Sequence, residues 1–260
     1  MIDINIIRGY FPPLVRGNAT FNKHILKEYL QLMILDFISA SAYAKKITFI
    51  GGTNLRLILG IDRFSEYLDF DCKNMTEEEF IAMTDDVLSF LRANDFNVEP
   101  RDKANPKLTA FRRNIYFPNL LFELNLTGHK EERFLIKMEA QDQGVAYTPA
   151  MADVKGCGFF FPFQIPPKTV LCAMKLSALV SRAKGRDFYD SMFLLSQTEP
   201  DYEFLAARCG IKNKEELKAK VAELLLKIDL SKKAEDFKHL LFNIDNSKKI
   251  LHFAEFMAHL

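Results

Sequence analysis

At 260 residues, with 48% hydrophobic and 27% charged side chains, the chain is long and apolar enough for a sizeable core and is not a disordered segment. A formal charge of +1 excludes a globally basic nucleic-acid coat, so RNA or DNA contacts would have to use local patches. Cys72, Cys157, Cys172 and Cys209 lack CxxC spacing and read as reduced structural thiols. No charged-then-apolar leader opens the chain and no apolar run reaches about 18 residues, so neither secretion nor a membrane span is expected and the cytoplasm is the default location.

Residues 1–20, with Pro12, Pro13 and Gly17, read as an extended lead-in. Apolar positions at Ile25, Leu26, Tyr29, Leu30, Met33, Ile34, Phe37 and Ile38 make residues 21–44 a core helix. Residues 47–71 (ITFIGGTNLRLILGIDRFSEYLDFD) then read as strand, glycine turn, helix, loop and strand. A second helix over 75–94 opens on a capping box, Thr76 with Glu79, and carries Phe80, Met83, Val87, Phe90 and Leu91 on one side. Strand-like runs at 96–98, 108–116, 120–126 and 134–139 predict an antiparallel meander. Gly156, Gly158, Pro162, Pro166 and Pro167 mark a change of composition, placing an α/β domain at 1–165 and a helical domain at 166–260. Within the latter, 170–182 is a helix and 201–260 is helical throughout, its Lys-rich 212–220 segment a solvated face.

The chemistry-bearing residues cluster in a few of these elements. Gly51 and Gly52 allow close approach of a ligand to the backbone ahead of a helix, a phosphate-seating arrangement, although glycine pairs before helices are also ordinary turn chemistry. In the strand that follows, period two sends Asp69 and Asp71 out on one face, and paired hard oxygen ligands suit Mg²⁺. The same alternation in 134–139 makes Glu139 a candidate third carboxylate or a plain solvent-facing residue, with Glu123 a weaker competitor. Lys175 and Arg182 share a helical face, and Asp187 and Asp190 share another if helix resumes there. The five histidines fall in separate segments without a triad context, Ser65 reads as a turn or cap, and the glycine pair does not match a P-loop.

Three ordered segments, FIGGTNLRL (49–57), RFSEYLDFD (63–71) and KGRDFYD (184–190), resemble the AbiEii/AbiGii family of toxin nucleotidyltransferases. The resemblance implies a polymerase-β-like nucleotidyltransferase core with a mixed or antiparallel sheet and a helical C-terminal part. It implies the toxin half of a toxin–antitoxin pair, with an NTP co-substrate, Mg²⁺ or Mn²⁺, an RNA acceptor such as a tRNA 3′ end, and a cognate antitoxin. Carried over by position, Gly51, Gly52 and Thr53 contact the triphosphate, with Arg56 and Arg63 as added phosphate contacts. Asp69 binds metal and Glu139 supplies the third acid. Lys175 faces the nucleotide, and Asp187 orients Lys175 or the acceptor. Arg182, Lys184 and Arg186 form the local basic patch that RNA would need.

One departure falls at the centre. Relatives usually read an acid where this chain has Tyr67, and a phenol does not replace a Mg²⁺ carboxylate. Two readings follow. Asp71 becomes the second ligand beside Asp69, or the chain is a catalytically weakened protein that keeps the fold and binds a nucleotide or partner. Transfer to a protein acceptor is a third expectation.

Overall fold

The computed structural model describes residues 2–102 and 109–260, so the expected strand start at Leu108 lies outside the described residues. The chain divides into two compact units, Met1–Gly60 with Phe64–Gly144 and Pro149–Ile165, and Ile61–Arg63 with Val145–Thr148 and Pro166–Leu260.

In the first unit, the expected extended lead-in is instead two short helices, α1 (Ile4–Arg8) and α2 (Pro13–Arg16). Asp3 caps α1 by accepting from the Asn5 amide, and Pro13 opens α2, where a missing N–H costs nothing. Their apolar side chains Ile7 and Val15 are buried, which holds this stretch against the body. α3 (Asn22–Ser39) buries Ile25, Leu26, Leu30, Ile34 and Ile38 of the predicted stripe and leaves Tyr29, Met33 and Phe37 half-buried, and Phe37 stacks on Phe90 of α5 (Glu77–Ala93) at 4.4 Å between ring centres. The Thr76/Glu79 capping box at the start of α5 is formed.

Between these helices run β1 (Ile47–Ile50), α4 (Gly51–Leu57) and β2 (Tyr67–Cys72), followed after α5 by β3 (Glu99–Pro100), β4 (Phe111–Tyr116), α6 (Leu120–Glu123) and β5 (Leu135–Gln141). Among the described residues the sheet runs β1-β2-β5-β4-β3. The predicted antiparallel meander survives in β3-β4-β5, with its first strand at Glu99–Pro100 and not at 96–98, while β2 joins β5 in parallel. Residues 120–126 are not the predicted strand. Asn119, in the left-handed region at φ 59°, turns the chain into α6, whose Leu121 is the buried anchor.

β6 (Ala150–Gly156) and β7 (Phe159–Ile165) form a hairpin where the Gly and Pro residues had suggested only a change of composition. Its two-residue turn, Cys157 and Gly158, has φ of 49° and 86°, the mirror-image geometry that matches strand twist. Pro162 is tolerated because the ribbon has only two strands. Phe163 of β7 packs against Phe49 and Phe70 at 5.9 and 6.1 Å, closing the core over β1 and β2.

The second unit is helical, as expected: α7 (Lys168–Arg182), α8 (Gly185–Leu195), α9 (Tyr202–Cys209), α10 (Lys214–Leu225), α11 (Leu230–Phe237), a 3₁₀ stretch Ile244–His252 and α12 (Phe253–Ala258). Ala183, left-handed at φ 46°, ends α7 and reverses the chain into α8. A side chain at Gly185 would fall 1.9 Å from the Lys233 carbonyl oxygen, so glycine there permits α8 to approach α11. Phe188 meets Phe253 edge-on at 5.0 Å. No described helix is long and apolar enough to cross a membrane.

Candidate nucleotidyl transfer site

Strand register assembles the acids. On β2 the half-buried positions Tyr67 and Asp69 alternate with buried Leu68 and Phe70, and on β5 half-buried Lys137 and Glu139 alternate with Ile136, Met138 and Ala140. The parallel pairing sets Asp69 directly beside Glu139, and the antiparallel pairings extend the row to Ile50 on one side and Arg112 on the other. Asp69 and Glu139 therefore leave the same face of the sheet side by side, which makes Glu139 the acid that joins Asp69. Arg112 donates to Glu139 at 2.8 Å, with both side chains about a quarter exposed.

Gly51 explains its own identity in this setting. Its φ is 81°, and an added Cβ would lie 2.1 Å from the Asp69 Oδ2. The glycine turn and the acid are thus in direct contact, and no side chain fits between them. Thr53 is fully buried, its hydroxyl donating to the Tyr67 carbonyl, so it ties α4 to β2 and does not present its side chain to a triphosphate. Arg56 gives its guanidinium to Glu28 at 2.9 and 3.0 Å, in place of the phosphate role expected for it. Burial raises the Glu28 pKa above the usual carboxylate range, and Arg56 opposes that rise.

Asp71 projects from the same strand face but is only 1% exposed; its carboxylate accepts from the Gln143 amide at 2.9 Å and lies 3.7 Å from the Lys73 ammonium. It holds the turn that follows β5. Glu123 sits on α6 and lines a cavity with Asp3, Asn94 and Phe96, apart from the acid row. Among the described residues no group of three or more His, Cys, Asp or Glu side chains gathers around a metal-sized space. A pair suffices for Mg²⁺, which is commonly held by one or two carboxylates together with substrate phosphates.

The second unit, taken by itself, holds a buried ion cluster. Arg63 makes a two-pronged pair with Asp190 at 2.7 Å on each prong, and Lys175 donates to the same carboxylate at 2.9 Å. Burial alone would raise the Asp190 pKa, but the Arg63 guanidinium and the Lys175 ammonium outweigh it and hold the group down to about 2. This corrects two expectations. Lys175 is oriented by Asp190, not by Asp187, because α8 begins at Gly185: residue 187 falls in its first turn and caps it, while residue 190, nearly one turn on, meets Lys175 of α7. Arg63, at 2% exposure, is a partner of Asp190 and not a phosphate contact. Asp187 instead accepts from Arg182 at 2.8 and 3.0 Å and from the Lys184 amide. Of the basic trio, Arg182 is thereby tied down, Lys184 is exposed and Arg186 half-buried.

Arg112 and Lys137, on the acid-bearing face, went unremarked in the sequence, and Asp190 was noted there only as sharing a helix face with Asp187. Period-two alternation in 111–116 would have grouped Arg112 with Asn114 on one face, but no pattern along the chain announces which strand lies beside it.

Comparisons with known proteins give the family and the fold. The family described as nucleotidyl transferase AbiEii toxin, of a type IV toxin–antitoxin system, matches residues 34–255. No curated protein matches the chain in sequence. Among solved structures, the nucleotidyltransferase toxin MenT4 from Mycobacterium tuberculosis H37Rv aligns over 100% of this chain and 91% of its own, with a TM-score of 0.60 at 15% identity. JHP933 from Helicobacter pylori aligns over 91% of this chain and 90% of its own, with a TM-score of 0.54 at 17% identity. At these identities the likeness is one of fold, and it bears out the expected nucleotidyltransferase architecture.

Proposed function

The chain belongs to the AbiEii family of nucleotidyl transferase toxins, and we propose that it moves a nucleoside monophosphate from an NTP to an acceptor RNA 3′ end, such as that of tRNA, in the cytoplasm. The observation that carries this reading is the adjacency of Asp69 and Glu139 on two paired strands, with the left-handed Gly51 packed on the Asp69 carboxylate. Asp69 and Glu139 are the residues that would hold Mg²⁺ or Mn²⁺. Such a cation, when bound, neutralises charge on the phosphates and favours attack by the acceptor hydroxyl.

The protein's own groups do the rest. Gly51 leaves room for the Asp69 carboxylate, and Arg112 fixes the direction of Glu139. Asp71 secures the turn after β5, which keeps β2 and β5 in register. On the family pattern Lys175 is the cation for the nucleotide, and Asp190 holds its side chain within the second unit. We assign the nucleotidyltransferase-like α/β domain to residues 1–165 and the helical domain to 166–260. The exposed Lys184, with Arg182 and Arg186, supplies the RNA-backbone contact, and a cognate antitoxin is the partner that the type IV pair calls for.

A specific observation supports the second reading, a silent nucleotide-binding protein: Tyr67 stands on the acid-bearing face, covered by the Lys137 ammonium. One experiment separates the two. Purified protein is incubated with Mg²⁺, each labelled NTP and total RNA, and label is followed on RNA and protein gels for wild type and Asp69→Ala. Transfer to RNA by wild type and its loss in the variant is the expected result. Undiminished label in Asp69→Ala would sink the site assignment. Label on protein alone would move the acceptor, and no label from any NTP would favour the silent reading.

A further inference from the structure

One pair step from Asp69 and Glu139, the same face of the sheet changes sign. Tyr67 of β2 pairs with Lys137 of β5, and Asn114 of β4 completes that row. The Lys137 ammonium lies 4.3 Å from the centre of the Tyr67 ring, whose negative face holds the cation in one direction without neutralising it. Among the described residues Lys137 makes no ion pair; its neighbour on the same strand face, Glu139, is bound to Arg112. A second lysine stands near. Lys27 of α3 lies 5.6 Å from the ring centre of Phe134, the residue just before β5. Its pKa is lowered by burial; the Glu66 carboxylate is the next influence and opposes that, and Lys137 adds a smaller lowering.

Lys27 already faces Glu66, which acts on it more strongly than Lys137 does, whereas Lys137 is held by a ring face and, among the described residues, by no carboxylate, so an oxyanion beside Lys137 meets a cation that no protein acid has claimed. We infer that Lys137, backed by Lys27, is a phosphate-binding residue of the transfer site and takes an oxyanion of the nucleotide's triphosphate beside the Asp69–Glu139 pair. The inference rests on that pair being the place where nucleotide phosphates are held. It gives position 67 a use: Tyr67 carries a protein cation next to the acids and aims it along the face. Lysine suits the task, since a compact ammonium on a flexible stem follows a phosphate chain without the fixed geometry of a guanidinium.

The test uses the full chain and inorganic tripolyphosphate in EDTA at low salt, followed by titration calorimetry, so the readout does not depend on turnover. Lys137→Gln is expected to weaken binding at least tenfold, Lys27→Gln less, and Lys137→Arg to retain most of it. Asp69→Asn removes a negative charge and should bind as tightly as wild type or more so. Thermal melts confirm that each variant is folded, and Tyr67→Leu, which leaves Lys137 in place, should weaken binding a few-fold. Equal affinity in wild type and Lys137→Gln, or no wild-type binding, overturns the proposal. A parallel titration with a 5′-phosphorylated RNA trinucleotide identifies the source of the oxyanion: Lys137-dependence there and not with tripolyphosphate overturns the assignment to the nucleotide. Label transfer is scored separately. A wild type that binds tripolyphosphate through Lys137 yet transfers nothing refutes the enzymatic reading alone, whereas transfer with an NTP KM unmoved by Lys137→Gln refutes the lysine's role alone.

Discussion

Replacing Gly51 by Ala should abolish most transfer while leaving the protein folded, and the structure allows the size of the effect to be worked out. The new Cβ would begin 2.1 Å from the Asp69 Oδ2, 2.7 Å from its Cβ and 2.8 Å from its Cγ. Ordinary contact needs at least 3.4 Å, so the carboxylate has to move by roughly 1 Å or the turn has to open by as much. A misplacement of about 1 Å in a reacting constellation lowers rates on the order of a hundredfold. The left-handed backbone at φ 81° adds about 1–2 kcal/mol of strain for a side-chain-bearing residue, a fall of a few degrees in Tm for a chain of this length. Gly60→Ala is the matched control, because Gly60 has φ 74° but nothing within 4 Å of an added Cβ. It should lose similar stability and keep its transfer rate. The assay is single-turnover label transfer beside a thermal melt. Transfer by Gly51→Ala within a few-fold of wild type, or equal loss in both alanine variants, would refute the coupling of Gly51 to Asp69.

Other expectations follow from the ion pairs. Asp190→Asn leaves Arg63 and Lys175 buried without their carboxylate and should cost about 3–5 kcal/mol, whereas Asp187→Asn, whose partner Arg182 is 45% exposed, should cost about 1 kcal/mol; the reverse order in urea melts would undo the exchange of roles between the two acids. Because the folded Asp190 titrates near 2 and the unfolded group near 3.8, its contribution is fully present above the higher value and lost as pH falls from there through 2, on the order of 2 kcal/mol. Acid melts of wild type should show this loss and those of Asp190→Asn should lack it. Arg112→Met frees Glu139 and should lower transfer about tenfold with Tm within about 1 °C of wild type, since a partly exposed pair contributes little to stability; unchanged transfer would remove Arg112 from the site.

Local patterns were legible where local physics decides. The helix α3 and the capping box of α5 follow from helix period and cap chemistry and stand as expected, while the alternation of β2 holds from Tyr67 to Phe70 and ends at the buried Asp71. Failures came where a single backbone conformation overrules composition. The hairpin of β6 and β7 depends on left-handed geometry at Cys157 and Gly158, and cysteine is not a residue that advertises it. Residues 120–126 carry an apolar pattern that suits a strand, yet the left-handed Asn119 directs them into α6. In both places the decisive term is a turn, and the flanking hydrophobic pattern is compatible with either outcome.

The site divides along the same line. Gly51 and Asp69 could be named because each belongs to a short ordered motif, and Lys175 through the family resemblance, but their partners come from other stretches of chain. Asp187 and Asp190 share a helix face, and only the reversal at Ala183, which fixes where α8 starts, decides which of them reaches Lys175. The acid that joins Asp69 is similarly a matter of register. Reading along β2 alone, Tyr67 leaves Asp69 with Asp71 or with nothing, whereas the parallel pairing with β5 places Glu139 beside it. An acid pair built across two strands does not depend on the residue two positions earlier in one of them. Tyr67 therefore removes a carboxylate from the face without removing the pair, and the space it occupies is the one over which Lys137 is held.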